Sequence, residues 1–128
     1  MRYIINLSQA HTLIFKFLDY EFSDKNFVKE LNPYYKDGNT YTIEIFNNSE
    51  DLKMTYFWYG PGEYDDGTPH NGVGSLHINP DLVDNLRRSL SLRESKIIDI
   101  IADWVTEKLN MDIDEIELYP NRENPPNY

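Results

Sequence analysis

The chain has no cysteine, which removes disulfide staples, thiolate metal sites and any cysteine nucleophile together. A cysteine-free chain is also at home in a reducing compartment. Long apolar runs are missing as well. Leu13-Ile14-Phe15 is typical of the longest, whereas a helix needs ~20 such residues to span a bilayer. The first residues, Met1-Arg2-Tyr3-Ile4-Ile5-Asn6, carry too short an apolar segment for a signal peptide and no small-residue cleavage site. The expected location is the cytoplasm, without membrane contact. Positive charge is scarce: 12 Lys and Arg stand against 22 Asp and Glu, a net charge of −10. A field of that sign opposes binding to a phosphate backbone and favours a basic protein. The same acidity also serves plain solubility.

What the chain does hold is bulk. Apolar residues make up 40% and aromatics 14% of 128 residues, enough for one domain that buries roughly two-thirds of its unfolded surface. That domain is expected over residues 1–119. Residues 120–128 (PNRENPPNY) are polar and proline-rich and read as a flexible tail.

Periodicity divides the chain further. Residues 3–7 read as a short strand. From Ser8, a candidate N-cap, Ala10, Leu13, Ile14, Phe17 and Leu18 recur at helical spacing, although the Phe and Tyr content of residues 15–22 also suits a strand. A second helix is expected over residues 24–31, capped by Ser23 and stopped by Asn32-Pro33. Tyr41, Ile43 and Ile45 alternate with Thr42 and Glu44, and Leu52, Met54, Tyr56 and Trp58 alternate with Lys53 and Thr55. Around the turn residues 47–51 (NNSED), this predicts a hairpin. Residues 60–72 (GPGEYDDGTPHNG) are loop-like, and residues 73–78 read as a strand. Asn79-Pro80 opens a helix to about residue 90. Ser91 and Glu94 suggest a capping box for a last helix ending near Asn110, and residues 115–119 form a final strand. The predicted class is α+β: a small, mainly antiparallel sheet of about four strands, helices on one face, and a long C-terminal amphipathic helix followed by an edge strand.

Charge is sorted on that last helix. Ile97, Ile98, Ile101, Trp104, Val105 and Leu109 share one arc, and Asp99, Asp103 and Glu107 stack at i, i+4 and i+8 on the other. Asp112, Asp114, Glu115 and Glu117 follow. Between positions 99 and 117 these seven carboxylates meet one cation, Lys108. A solvated helix face explains the pattern, and so does an acidic ridge that selects a basic partner. A second cluster is Tyr56-Phe57-Trp58-Tyr59, with Tyr64 beyond it. If Tyr56 and Trp58 face the core, Phe57 and Tyr59 face out, and with Tyr64 they become candidate aromatic anchors.

Catalytic patterns are weak. Residues 63–77 hold Glu63, Asp65, Asp66, His70 and His77, but with no HxH, HExxH or CxxC spacing, and for divalent-cation binding the carboxylates of positions 99–117 lack the glycine and ligand spacing of an EF-hand loop. No serine lies in GxSxG, and Gly72-Val73-Gly74 is neither a Walker loop nor a dinucleotide fingerprint. No cofactor is expected. The favoured expectation is a small acidic inhibitor without enzymatic activity, similar in kind to immunity proteins of toxin systems or phage anti-defence proteins. It would neutralise a basic, nucleic-acid-processing partner through the acidic helix face, without contacting nucleic acid. A structural or assembly subunit, for instance a homodimer, and a small metal-dependent hydrolase built on residues 63–77 are the alternatives.

Overall fold

The Asn6 side chain accepts the Gln9 N–H (2.8 Å), and the Gln9 side-chain oxygen accepts the Asn6 N–H (3.1 Å). This reciprocal cap starts helix α1 (Leu7–Glu21). Ser8, the cap suggested by the sequence, is already helical, because a cap there would have His11 at its third position and no such return bond. Ala10, Ile14 and Leu18, one turn apart, are fully buried, which decides the helix-or-strand ambiguity of this segment. The computed structural model describes residues 6–31, 40–63 and 66–119. The strand expected over 3–7 therefore falls outside them except for Asn6, the N-cap, and Leu7, which is helical, and the Asn32-Pro33 stop and residues 120–128 fall outside them entirely.

The helix expected over 24–31 is replaced by a three-residue 3-10 turn (Asp24–Asn26) and a strand, β1 (Phe27–Leu31). Ser23 makes no side-chain cap bond. Phe27, Lys29 and Leu31 instead pair with Ile45, Ile43 and Tyr41 of β2 (Tyr41–Phe46). Five antiparallel pairings along the β2 edge outweigh a short helix with no cap.

β2 and β3 (Leu52–Tyr59) form the predicted hairpin. Asn47 organises its turn by accepting the N–H groups of Ser49 (3.0 Å) and Asp51 (2.9 Å), and the register slips between Ile45 and Phe46. Two short strands, β4 (Gly62–Glu63) and β5 (Pro69–His70), pair with each other. β6 (Val73–Ile78) then runs antiparallel to β3.

Helix α2 (Pro80–Leu90) starts at Asn79, whose side chain accepts the Asp81 N–H (2.9 Å). Ser91 does not cap the next helix. It ends α2 in the left-handed conformation (φ 54°), and an N-cap must be extended, so one residue cannot serve both ends. Helix α3 (Glu94–Leu109) begins after Arg93 and stops at left-handed Asn110 (φ 52°). β7 (Glu115–Leu118) closes the sheet by pairing parallel to β6.

The result is an α+β fold with a mostly antiparallel five-stranded sheet in the order β1-β2-β3-β6-β7, one strand more than the sequence suggests because β1 was read as helix. Ile43, Ile45, Met54, Tyr56, Leu76 and Ile78 point from the sheet into the core. There they meet Ile14 and Leu18 of α1, Val83 of α2, and Ile97, Ile101, Trp104 and Val105 of α3. α3 packs against both other helices. Among the described residues, no helix is long and apolar enough to cross a membrane.

Candidate functional site

The seven carboxylates between positions 99 and 117 do not form one surface. Asp99, Asp103 and Glu107 are exposed on the outer side of α3. Asp103 lies 3.9 Å from the His11 Nε2 of α1, and Lys96 is exposed on the same arc. The nearby cation Lys108 turns to α1 instead and meets Asp19 at 3.0 Å. That carboxylate also accepts the Trp104 indole N–H (2.9 Å). The two bonds, first from Trp104 and then from Lys108, pull the Asp19 pKa below its ordinary value.

Asp112 and Asp114 belong to the connection between α3 and β7. The Tyr56 hydroxyl donates to the Asp112 backbone carbonyl (2.8 Å). The Asp114 carboxylate accepts the Gly74 N–H (2.8 Å), and the Asp114 N–H donates to the Gly74 carbonyl (2.7 Å). Asp114 is therefore used inside the molecule. A Cβ on Gly74 would run into the Asp112 carbonyl and the Tyr56 hydroxyl, so glycine is what lets the connection lie down on the sheet. Burial, then the neighbouring Tyr41, Asp114 and Asp112, push the Tyr56 phenol well above its ordinary pKa.

Glu115 and Glu117 lie on the other side of the molecule. Strand alternation aligns them with Ser75 and His77, on the sheet face opposite the one that the described helices cover. The same register brings Phe57 beside Ser75 and Thr42, and Thr55 between His77 and Glu44. The Phe57 and His77 ring centroids are 4.7 Å apart, and those of His77 and Tyr119 5.6 Å. Glu117 Oε2 is 3.5 Å from His77 Nε2, an ion pair when the imidazole is protonated. The Ser75 hydroxyl donates to Glu115 Oε2 (3.2 Å). Tyr59 is 41% and Tyr119 66% exposed. A row of rings thus crosses β3 and β6 and ends just past β7, within a sheet face bearing Glu30, Glu44, Glu115 and Glu117.

Among the described strands, the cation on this face is Lys53, which alternates with buried Met54 and so shares the outward side of Thr55 and Phe57, at the slip beside Phe46. Lys29, by contrast, turns to the core side and lies 4.1 Å over the Tyr41 ring. The expectation that Phe57 and Tyr59 face away from Tyr56 agrees with this register. The sequence alone does not mark His77, Tyr119, Glu30 and Glu44 as binding residues. Glu44 and His77 were readable from alternation, Tyr119 only from its place at the end of the last strand, and Glu30 was hidden by the helix reading of its segment.

Residues 63–77 do not gather into a centre. The Asp66 carboxylate accepts the Thr68 N–H (2.9 Å), and hydrogen bonds from Thr68 lower its pKa. His70 Nδ1 accepts the Gly72 N–H (3.2 Å), while His77 sits out on the sheet. Tyr64 and Asp65 lie outside the described residues. Among the described residues, no three His, Asp or Glu side chains are grouped to hold a metal ion. A groove of about 190 Å³ between α1 and α2, lined by Leu13, Phe17, Asn85, Leu86, Ser89 and Leu90, contains no ionisable side chain. No model of a known protein family matches the chain, and no curated protein sequence does so.

Proposed function

We propose that the protein is a small acidic inhibitor that neutralises a basic, nucleic-acid-processing partner protein, and that it docks through the open face of its sheet. The observation that carries this reading is the meeting of Phe57, His77 and Tyr119 with Glu30, Glu44, Glu115 and Glu117 on one face, where among the described strands these glutamates stand against the single cation Lys53. A few residues carry most of the binding energy at protein interfaces, and aromatic side chains are enriched at them. Carboxylates around them choose a partner of opposite charge and speed its approach.

A second copy of this chain is a poor occupant, because a two-fold axis would set the same glutamates against each other. The α3 column is set back from this face by the whole width of a helix, about 10 Å. Exposed charges further away than the Debye length of ~8 Å at physiological ionic strength are largely screened, so the column contributes little to docking on this face.

The test is binding to a panel of basic proteins and peptides, followed by calorimetry or fluorescence at low and high salt. Complex formation should weaken steeply with salt and fall about 100-fold in the Glu115→Lys/Glu117→Lys variant. Complexes that persist unchanged in that variant would remove the proposal.

A further inference from the structure

We infer that the anchor this face receives from its partner is an arginine, taken by Glu117 together with the exposed Tyr119 ring. This rests on the docking reading above and narrows it to one side-chain chemistry. Glu117 keeps 67% of its side chain open to solvent while one oxygen lies 3.5 Å from His77 Nε2. On the next outward position of the chain stands Tyr119, 66% exposed, its ring 5.6 Å from that of His77 at an interplanar angle of 31°. His77 is in turn backed by Phe57. The carboxylate is therefore bordered by the His77 ring and followed on its strand by a tyrosine whose exposed ring leans on that imidazole.

A guanidinium is flat, so it stacks on a ring and directs its N–H fork sideways at a carboxylate in the same pose. An ammonium is a compact, strongly hydrated point charge, so it meets the carboxylate but leaves the ring surface wet. Glu115, held by the Ser75 hydroxyl, lies two residues back on the same face, about 7 Å away along the strand. It is placed to take a second cation of the partner, not the same one.

The experiment compares two labelled peptides of equal length, spacing and charge, one carrying arginines and one lysines, titrated onto the full chain at physiological salt by fluorescence polarisation. The arginine peptide should bind about fivefold more tightly, the size of a stacked cation contact at a partly exposed site. Glu117→Gln and Tyr119→Ala should each reduce it to the affinity of the lysine peptide. Asp99→Lys/Asp103→Lys/Glu107→Lys should keep the preference, and thermal melts confirm that each variant folds. Equal affinities in the parent chain, or a preference that survives in Glu117→Gln and Tyr119→Ala, would overturn the inference. Equal binding of both peptides that Glu115→Lys/Glu117→Lys abolishes leaves the docking reading standing and the arginine assignment refuted. If neither peptide binds the parent chain, both fail.

Discussion

The outer side of α3 and the open face of the sheet are both acidic, and they differ in everything else. On α3 the carboxylates of Asp99, Asp103 and Glu107 are one turn apart on a single element, with Lys96 exposed among them and the buried arc of Ile97, Ile101 and Val105 behind. On the sheet, four glutamates come from β1, β2 and β7, and rings from β3, β6 and the end of β7 lie among them. Water solvates a charged helix face at little cost, so the α3 column needs no partner to explain it. Rings left in water do carry a cost, roughly 25 cal/mol per Å² of apolar surface, and that surface is recovered only when something covers it. Negative charge by itself does not mark a site; charge with unburied aromatic surface does.

The most severe way to break this comparison is to lift β7 away. Gly74→Ala puts a methyl group where the Asp112 carbonyl and the Tyr56 hydroxyl already lie. It should destabilise the fold by about 3 kcal/mol, the upper end of overpacking costs, measured by urea unfolding. Any folded fraction should lose the sheet site and keep the α3 column. Next comes charge reversal. Glu115→Lys/Glu117→Lys should weaken binding of a basic partner about 100-fold, because like charges facing each other across an interface cost several kcal/mol. The triple reversal Asp99→Lys/Asp103→Lys/Glu107→Lys should change it less than about threefold at physiological salt. The opposite ranking would restore α3 as the contact surface. Phe57→Ala, which removes a ring and no charge, should cost about 30-fold, a hot-spot loss of ~2 kcal/mol, with the salt dependence unaltered.

Much of the architecture was readable because period and punctuation agree. Tyr41, Ile43 and Ile45 alternate cleanly, and Asn79-Pro80 and Asn110 mark helix ends by side-chain chemistry. The failures have one physical origin, the competition of a local signal with a distant partner. Ser23 looks like a cap, yet Phe27 to Leu31 finds more in the edge of β2 than in its own short helix. Ser91 and Glu94 have capping-box spacing, but the tight link between α2 and α3 demands a left-handed residue at Ser91. The candidate site was legible in pieces only. Alternation gives the outward face of Phe57 and Tyr59, and charge counting gives Glu115 and Glu117. That the two meet depends on β7 joining β6 in parallel register, a long-range pairing that no local pattern encodes.

The smallest effect concerns what keeps the acidic side of the helix layer in place. Asp19 accepts from Trp104 of α3 and pairs with Lys108, also of α3, so it fastens α1 to α3 at the rim of the core. Its folded pKa lies below the ordinary 3.8. The charged form is thus the one the fold favours, so this contribution is complete above the unfolded value and fades as pH falls through the lower folded one. Asp19→Asn keeps the size of the side chain and an acceptor for the indole N–H but loses the charge. Around neutral pH its melting temperature should lie slightly below that of the parent, and the gap should close as the pH drops below 3.8. Because the carboxylate is half exposed (53%), solvent screens the pair and the difference should be small, a degree or two. Binding of a basic partner should not change, since Asp19 stands on the helix side of the molecule. A loss of binding in this variant would show that the helix layer, not the sheet, meets the partner.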